Sequence, residues 1–350
     1  MAGEFVSLVQ GGHRAFVQQA THAPTRPLGS ARADILASSM RGPSAIRAAA
    51  WGAVVLGTAA PFVRRRLRLP PPVVIAAAGA APLALPVAMR RSKLRDAAVV
   101  GLQMHAYVAA YQMPNDDPER LRARVHVRYP VVADRVIGLG VLPGLRMQRA
   151  FARAEGQPLR AAEQALVWCH WLWFFVPHGT VAYLLARRSD QLASGAAQIY
   201  AVFDLGLIGY WALPTAPPWF AAEQGILGSR RPSVRRLMRE HGQAVWKGAW
   251  GPLYDVLGGN PLAAMPSLHF ATSVMAAHVL SDAGPVQGAL GWAYAGTLGF
   301  ALVYLGEHYV IDLLAGLALA EGVRRQRHRA APGLRAVAAA LQQLEARAHA

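Results

Sequence analysis

Three residues in the last third of the chain have the types and spacing for acid–base or nucleophilic chemistry. His269 follows Met265-Pro266-Ser267-Leu268 at the beginning of an apolar run, His308 stands where the next apolar run ends, and Asp312 comes four residues later. Four residues is one helical turn, so the Asp312 carboxylate can reach the His308 imidazole. Pro266 and the good N-cap residue Ser267 mark a helix start, where free backbone N–H groups and the helix dipole favour an anion such as phosphate. Ionisable groups set this deep in apolar sequence are functional candidates by default. One histidine at a helix end is more often an interfacial residue; a second histidine, a carboxylate and a cap together set this group apart. His278, nine residues beyond His269, is about half a turn out of phase and reads as packing or polar filler.

The elements that must position these residues are membrane helices. Leu262 to Leu280 and Val286 to Tyr304 are apolar runs joined by Ser281-Asp282-Ala283-Gly284-Pro285, and a third run follows from Tyr309. A hairpin and a return bring both histidines out at the same membrane face. A chain of 350 residues that is 54% AVILMFWYC and 16% charged, with long apolar runs, belongs to the polytopic membrane class, and the expected fold is an all-α transmembrane bundle. Its single cysteine, Cys169, excludes an internal disulfide and a Cys-based zinc site. The formal charge of +17 would suit nucleic acid, but the arginines cluster beside apolar runs without a nucleic-acid module. They read as headgroup anchors and topology determinants.

Residues 1–43 read as a flexible N-terminal tail. Residues 44–96 hold two apolar runs, Ala48 to Val63 and Pro71 to Met89, which suit either a transmembrane pair or a shallow hairpin. Residues 97–322 form the expected catalytic bundle. Within it, Ala97 to Met113, the Trp-rich Ala165 to Ala186 and Ala193 to Leu213 are spans, with Asp204 of the last turned inward. Val131 to Val141 is too short to cross and lies at the interface. Its Asp134 and Arg135 suit a structural pair, the preferred reading, or leave Arg135 to meet substrate. His105, His170 and His178 read as interior polar residues. Ser233 to Trp246 places Val234, Leu237, Met238, His241 and Val245 on one stripe, the pattern of an amphipathic helix on the bilayer. Residues 323–350 form a basic tail, opening with Arg324-Arg325-Gln326-Arg327-His328-Arg329 and carrying an amphipathic helix. By the positive-inside rule that end is cytoplasmic, as is Arg187-Arg188. The histidine face is then extracytoplasmic or luminal, with the plasma membrane as the expected location.

Pro266-Ser267-Leu268-His269 and Gly306-Glu307-His308-Tyr309-Val310-Ile311-Asp312 resemble the second and third motifs of the type-2 phosphatidic acid phosphatase superfamily. Leu213-Pro214-Thr215-Ala216-Pro217-Pro218-Trp219, Asp134-Arg135 and the Gly138 to Gln148 segment are similar to its inositol phosphorylceramide synthase branch. The resemblance runs over roughly residues 97–320. Two features depart from the pattern: Gln224 stands where the first motif has Lys ahead of Arg231-Pro232, and Ala301-Leu302 replace the Ser-Arg of the third.

The resemblance implies that His308, oriented by Asp312, attacks phosphorus to give a phosphohistidine. It also implies that His269 protonates the leaving oxygen and then activates the incoming hydroxyl, without a metal or other cofactor. Ser267 and the backbone after Pro266, with Arg230, Arg231 and Arg135, are the candidate substrate-binding residues, since guanidinium forks match phosphate oxygens. The expected partners are a phospholipid or other lipid phosphate, an alcohol acceptor or water, and the membrane, with no nucleic acid. An alcohol acceptor makes a phosphotransferase and water a lipid phosphatase; a non-catalytic lipid-binding or transport protein is the reading from another class.

Overall fold

The computed structural model describes residues 42–154, 156–227, 234–252 and 260–350. Apart from residues 42 and 43, the N-terminal tail lies outside these residues, as do Arg230 and Arg231. The chain in order gives α1 (Pro43–Leu67), α2 (Pro71–Ala88), α3 (Lys93–Gln112), α4 (Pro118–Arg124), α5 (Arg128–Ile137), α6 (Pro143–Phe151), α7 (Ala161–Trp171), α8 (Phe175–Arg187), α9 (Ser189–Ala212), α10 (Pro218–Glu223), α11 (Leu237–Trp246), α12 (Leu268–Ala283), α13 (Pro285–Tyr304) and α14 (Val310–His349). The expected all-α architecture is present. Among the described residues, α1, α2, α9 and α13 are long and apolar enough to cross a membrane, as an integral membrane protein requires.

Local chemistry sets the boundaries. Pro43, Pro71 and Pro285 open α1, α2 and α13, where the missing N–H is not needed. Ser92 caps α3 by accepting from Arg95 N–H, and Ser267 caps α12 by accepting from Phe270 N–H. Leu56 and Phe62 of α1 are 68% and 77% exposed, as lipid-facing residues should be.

The α12–α13 hairpin packs against α14, α9 and α8. Its core joins Leu184, Ile199, Phe203, Leu268 and Met275. Lipid offers apolar side chains as good a home as a neighbouring helix does, so close backbone approach matters more than apolarity. A Cβ on Gly209 would stand 2.6 Å from Pro266 Cδ, and one on Gly316 2.6 Å from the Ser267 carbonyl oxygen. These two glycines let α9 and α14 close on the segment that opens α12.

A small backbone strap stiffens the loops at the same face. His126 N–H donates to Pro214 O at 2.8 Å, Ala216 N–H to His126 O at 3.0 Å, and Ala264 N–H to Thr215 O at 2.9 Å. Three loops far apart in sequence are thus held side by side just before Ser267.

Several expectations need correction. The apolar run Ala165 to Ala186 is interrupted by a 3-10 turn at Leu172–Phe174 that separates α7 from α8. The helix expected from Ser233 begins at Leu237, and its stripe does not lie on the bilayer. Leu237 and Met238 bury against Val167 of α7 and Tyr304 of α13, with Val245 of the stripe left 44% exposed. The C-terminal segment is no separate tail helix, because α14 continues from the site through residue 349. Near its end Ala348 packs with Ala50 and Val87 of the hairpin, and Glu345 pairs with Arg95 at 2.6 Å. Asp204, expected to turn inward, is instead exposed, and the Gln103 amide of α3 donates to it at 2.8 Å.

Candidate active site

α12 and α14 both start at one face of the bundle, and their starts are joined by main chain: Ser267 N–H donates to Asp312 O at 3.0 Å. From this paired start, Nε2 of His308 comes within 3.3 Å of Nδ1 of His269. Nδ1 of His308 faces Asp312 Oδ2 at 3.3 Å, and the same oxygen accepts from Tyr309 N–H at 2.9 Å. Asp312 is fully buried and His308 is 5% exposed. A carboxylate at Nδ1 selects the tautomer that leaves the His308 Nε2 lone pair free, so that His269 Nδ1 is the donor between the rings.

The sequence-derived site residues have different fates. His269, His308 and Asp312 converge, with Ser267 between them in the backbone. Arg135 does not reach the cluster through any described contact, since its guanidinium donates to Leu227 O at 3.2 Å. It does not pair with Asp134 either, which corrects the preferred reading. Asp134, 1% exposed, accepts from Ile311 N–H at 3.0 Å and so caps the helix that carries Asp312. Burial pushes the Asp134 carboxyl up to about 6 against the opposing Ile311 and Val310 N–H bonds, with Asp312 adding to the rise.

His278 stands apart, its Nε2 2.7 Å from Glu321 Oε1, as its phase on α12 foretold. The residue that sequence reasoning missed is His170. In the last turn of α7 the His170 ring stands 4.8 Å from that of His269 in a stacked arrangement, while Trp173 of the following 3-10 turn approaches His269 at 4.2 Å. Trp173 is held by its indole N–H, which donates to Thr272 Oγ1 at 2.9 Å. His170 Nδ1 is buried with no hydrogen-bond partner among the described residues. Only the His at an apolar helix end could have hinted at this, and that hint is weak.

A second missed residue is Arg236, which lies over the Trp219 ring at 3.7 Å and pairs with Glu223 at 3.2 Å. It also acts electrostatically on Glu307, the residue before His308. Burial raises the Glu307 carboxyl, opposed by Arg236, His308 and the Trp219 indole.

The fold and site define a class: a membrane helix bundle with a His–His–Asp cluster built on two paired helix starts. The family profile described as the PAP2 superfamily matches residues 139–323, and the chain belongs to that superfamily. It is similar to the phosphoinositol dihydroceramide synthase of Bacteroides thetaiotaomicron, with 30% identity over 162 residues, covering 42% of this chain and 50% of the relative. The match therefore spans half the length of that relative. No solved structure matches the chain.

Proposed function

We propose that this protein is a membrane phosphotransferase that moves a phosphoryl-linked polar headgroup from a lipid to an alcohol. The observation that carries the reading is the 3.3 Å approach of His308 Nε2 to His269 Nδ1, with Asp312 behind His308. Nε2 of His308 attacks phosphorus, the bond from phosphorus to the lipid oxygen breaks, and His269 gives that oxygen its proton. In the second half, His269 takes the proton of the acceptor hydroxyl, the new oxygen bonds to phosphorus, and the phosphorus–nitrogen bond of His308 breaks. The positive end of the α12 dipole favours the charge that gathers on the phosphoryl oxygens, while Ser267 is fully buried and serves as the cap of that helix, accepting from Phe270 N–H.

An attacking atom and a proton donor on either side of one phosphoryl group each need about 3 Å of approach, so the two rings must stand roughly 6 Å or more apart during transfer. The His269 ring therefore swings away when substrate binds. Arg236 is a stronger candidate than Arg135 for the cation near the phosphate, because it is coupled to the segment that bears His308. The likeness to the Bacteroides phosphoinositol dihydroceramide synthase supports transfer to a lipid alcohol over transfer to water, with a phosphorylated polyol as the headgroup. The arginines at the far end of α14 support an extracytoplasmic site.

The test is to incubate the purified protein with phosphatidylinositol labelled in its headgroup phosphate and with a long-chain ceramide, and to separate the products. Label in a new sphingolipid supports transfer, label released only as a water-soluble phosphate establishes hydrolysis, and no turnover of any lipid phosphate rejects the reading.

A further inference from the structure

Away from the histidines, a cavity of about 780 Å³ opens between the N-terminal hairpin and the bundle. That size lies within the roughly 300–1,000 Å³ usual for small-molecule sites. Arg64, Arg65, Arg68, Arg120 and Arg124 line it against Asp116 and Asp117, leaving an excess of three positive charges. The acidic residues are already engaged. Asp116 is held by Arg64 at 2.8 Å and by Arg65 at 2.6 Å, and Asp117 accepts the Arg120 main-chain N–H at 3.0 Å as the cap of α4.

The side chains of Arg68 and Arg120 are exposed and have no partner among the described residues. Here Arg64 and Arg65 converge on one carboxylate, Arg124 is fixed by donating to Trp211 O at 2.7 Å, and Pro70, Pro71 and Pro72 give the cavity a stiff wall. Tyr210, also in the wall, donates to Pro266 O at 3.0 Å and accepts from Leu268 N–H at 3.4 Å. The cavity therefore backs onto the segment that carries Ser267.

We infer that this cavity binds a phosphorylated headgroup bearing more than one negative charge, with Arg68 and Arg120 as its open guanidinium contacts. Two free planar forks beside three tethered ones suit a phosphate monoester on a polyol, whose oxygens accept several charge-assisted hydrogen bonds. The inference goes beyond the transfer reaction, since binding here requires neither histidine. The hairpin that supplies Arg64, Arg65 and Arg68 lies outside residues 139–323, so the site is an addition to the family's matched region.

The experiment measures retention of radiolabelled phosphatidylinositol 4-phosphate, phosphatidylcholine and free inositol 1-phosphate by the full chain purified in detergent. Wild type and His308→Ala should retain the phosphorylated lipid equally, although only wild type turns lipid over. The double variant Arg68→Gln, Arg120→Gln should lose at least tenfold in retention, and the corresponding Lys variant should keep part of it. Arg325→Gln, at the opposite end of the bundle, should change nothing. Retention of free inositol phosphate as strong as that of the lipid identifies a soluble ester as ligand, and retention of the lipid alone identifies a membrane headgroup. Equal retention by the Gln double variant, or wild-type retention of phosphatidylcholine as strong as that of the phosphorylated lipid, overturns the inference.

Discussion

The Asp134 carboxylate accepts the Ile311 main-chain N–H at 3.0 Å, so the short helix α5 fixes the start of the helix that holds Asp312. Because the folded state raises this carboxyl from an ordinary 3.8 to about 6, Asp134 ionises less readily in the folded protein than in the unfolded chain. Its contribution to stability is therefore greatest below about pH 4, falls as pH rises toward 6 and stays at its lower value above. Asp134→Asn keeps an acceptor for Ile311 and should flatten that part of the stability profile in detergent melting. Asp134→Ala removes the cap and should cost about 1 kcal/mol. A profile between pH 4 and 6 that is the same in wild type and the Asn variant would show that Asp134 does not carry the effect.

His308→Ala should abolish turnover, and Asp312→Asn should slow it by about a hundredfold or more, the range for loss of a positioned acid–base partner. Brief mixing with phosphorus-labelled lipid should leave acid-labile label on wild type and none on the His308 variant. Normal turnover by that variant rejects the mechanism.

His170 has no assigned proton transfer, yet its ring supports one face of His269. His170→Ala should lower kcat by about tenfold through loss of ring position, with KM little changed. His170→Phe keeps the stack and should recover most of the loss. Equal rates in wild type and the Ala variant would remove His170 from the site.

His278→Ala should leave turnover largely intact, because its partner is Glu321 and not the reacting cluster. A small fall in melting temperature without loss of rate is the expected pattern. Complete loss of turnover would mean that the wrong histidines have been chosen on α12.

The proposed cycle uses only protein side chains and backbone for proton movement and charge. Turnover by protein dialysed against EDTA should match that of untreated protein. Loss on dialysis with recovery on adding a divalent cation would require a different chemistry.

How much of this was legible in the sequence depended on how local the cause was. His308 and Asp312 were readable because one helical turn separates them, and their shared face with His269 followed from the lengths of two apolar runs. The contacts of His170 and Trp173 with His269 were not readable, since they join residues about a hundred apart in sequence, and the 3-10 turn bearing Trp173 is hidden in the uniformly apolar Leu172-Trp173-Phe174. Asp134 and Arg135 looked like a pair because they are adjacent, but adjacent helical residues point about 100° apart. Val234, Leu237, Met238, His241 and Val245 were read as one amphipathic stripe, and the first four are buried while Val245 is not. Whether lipid or protein covered the stripe could not be read from periodicity alone.

The main-chain bond between Ser267 and Asp312 ties the two helix starts together. In the proposed cycle, widening between the imidazoles comes from torsion about the His269 side-chain bonds. Such rotations run in picoseconds to nanoseconds where the ring has room. In the proposed cycle the site opens by turning one side chain, and the His170 and Trp173 rings against His269 set how readily it turns.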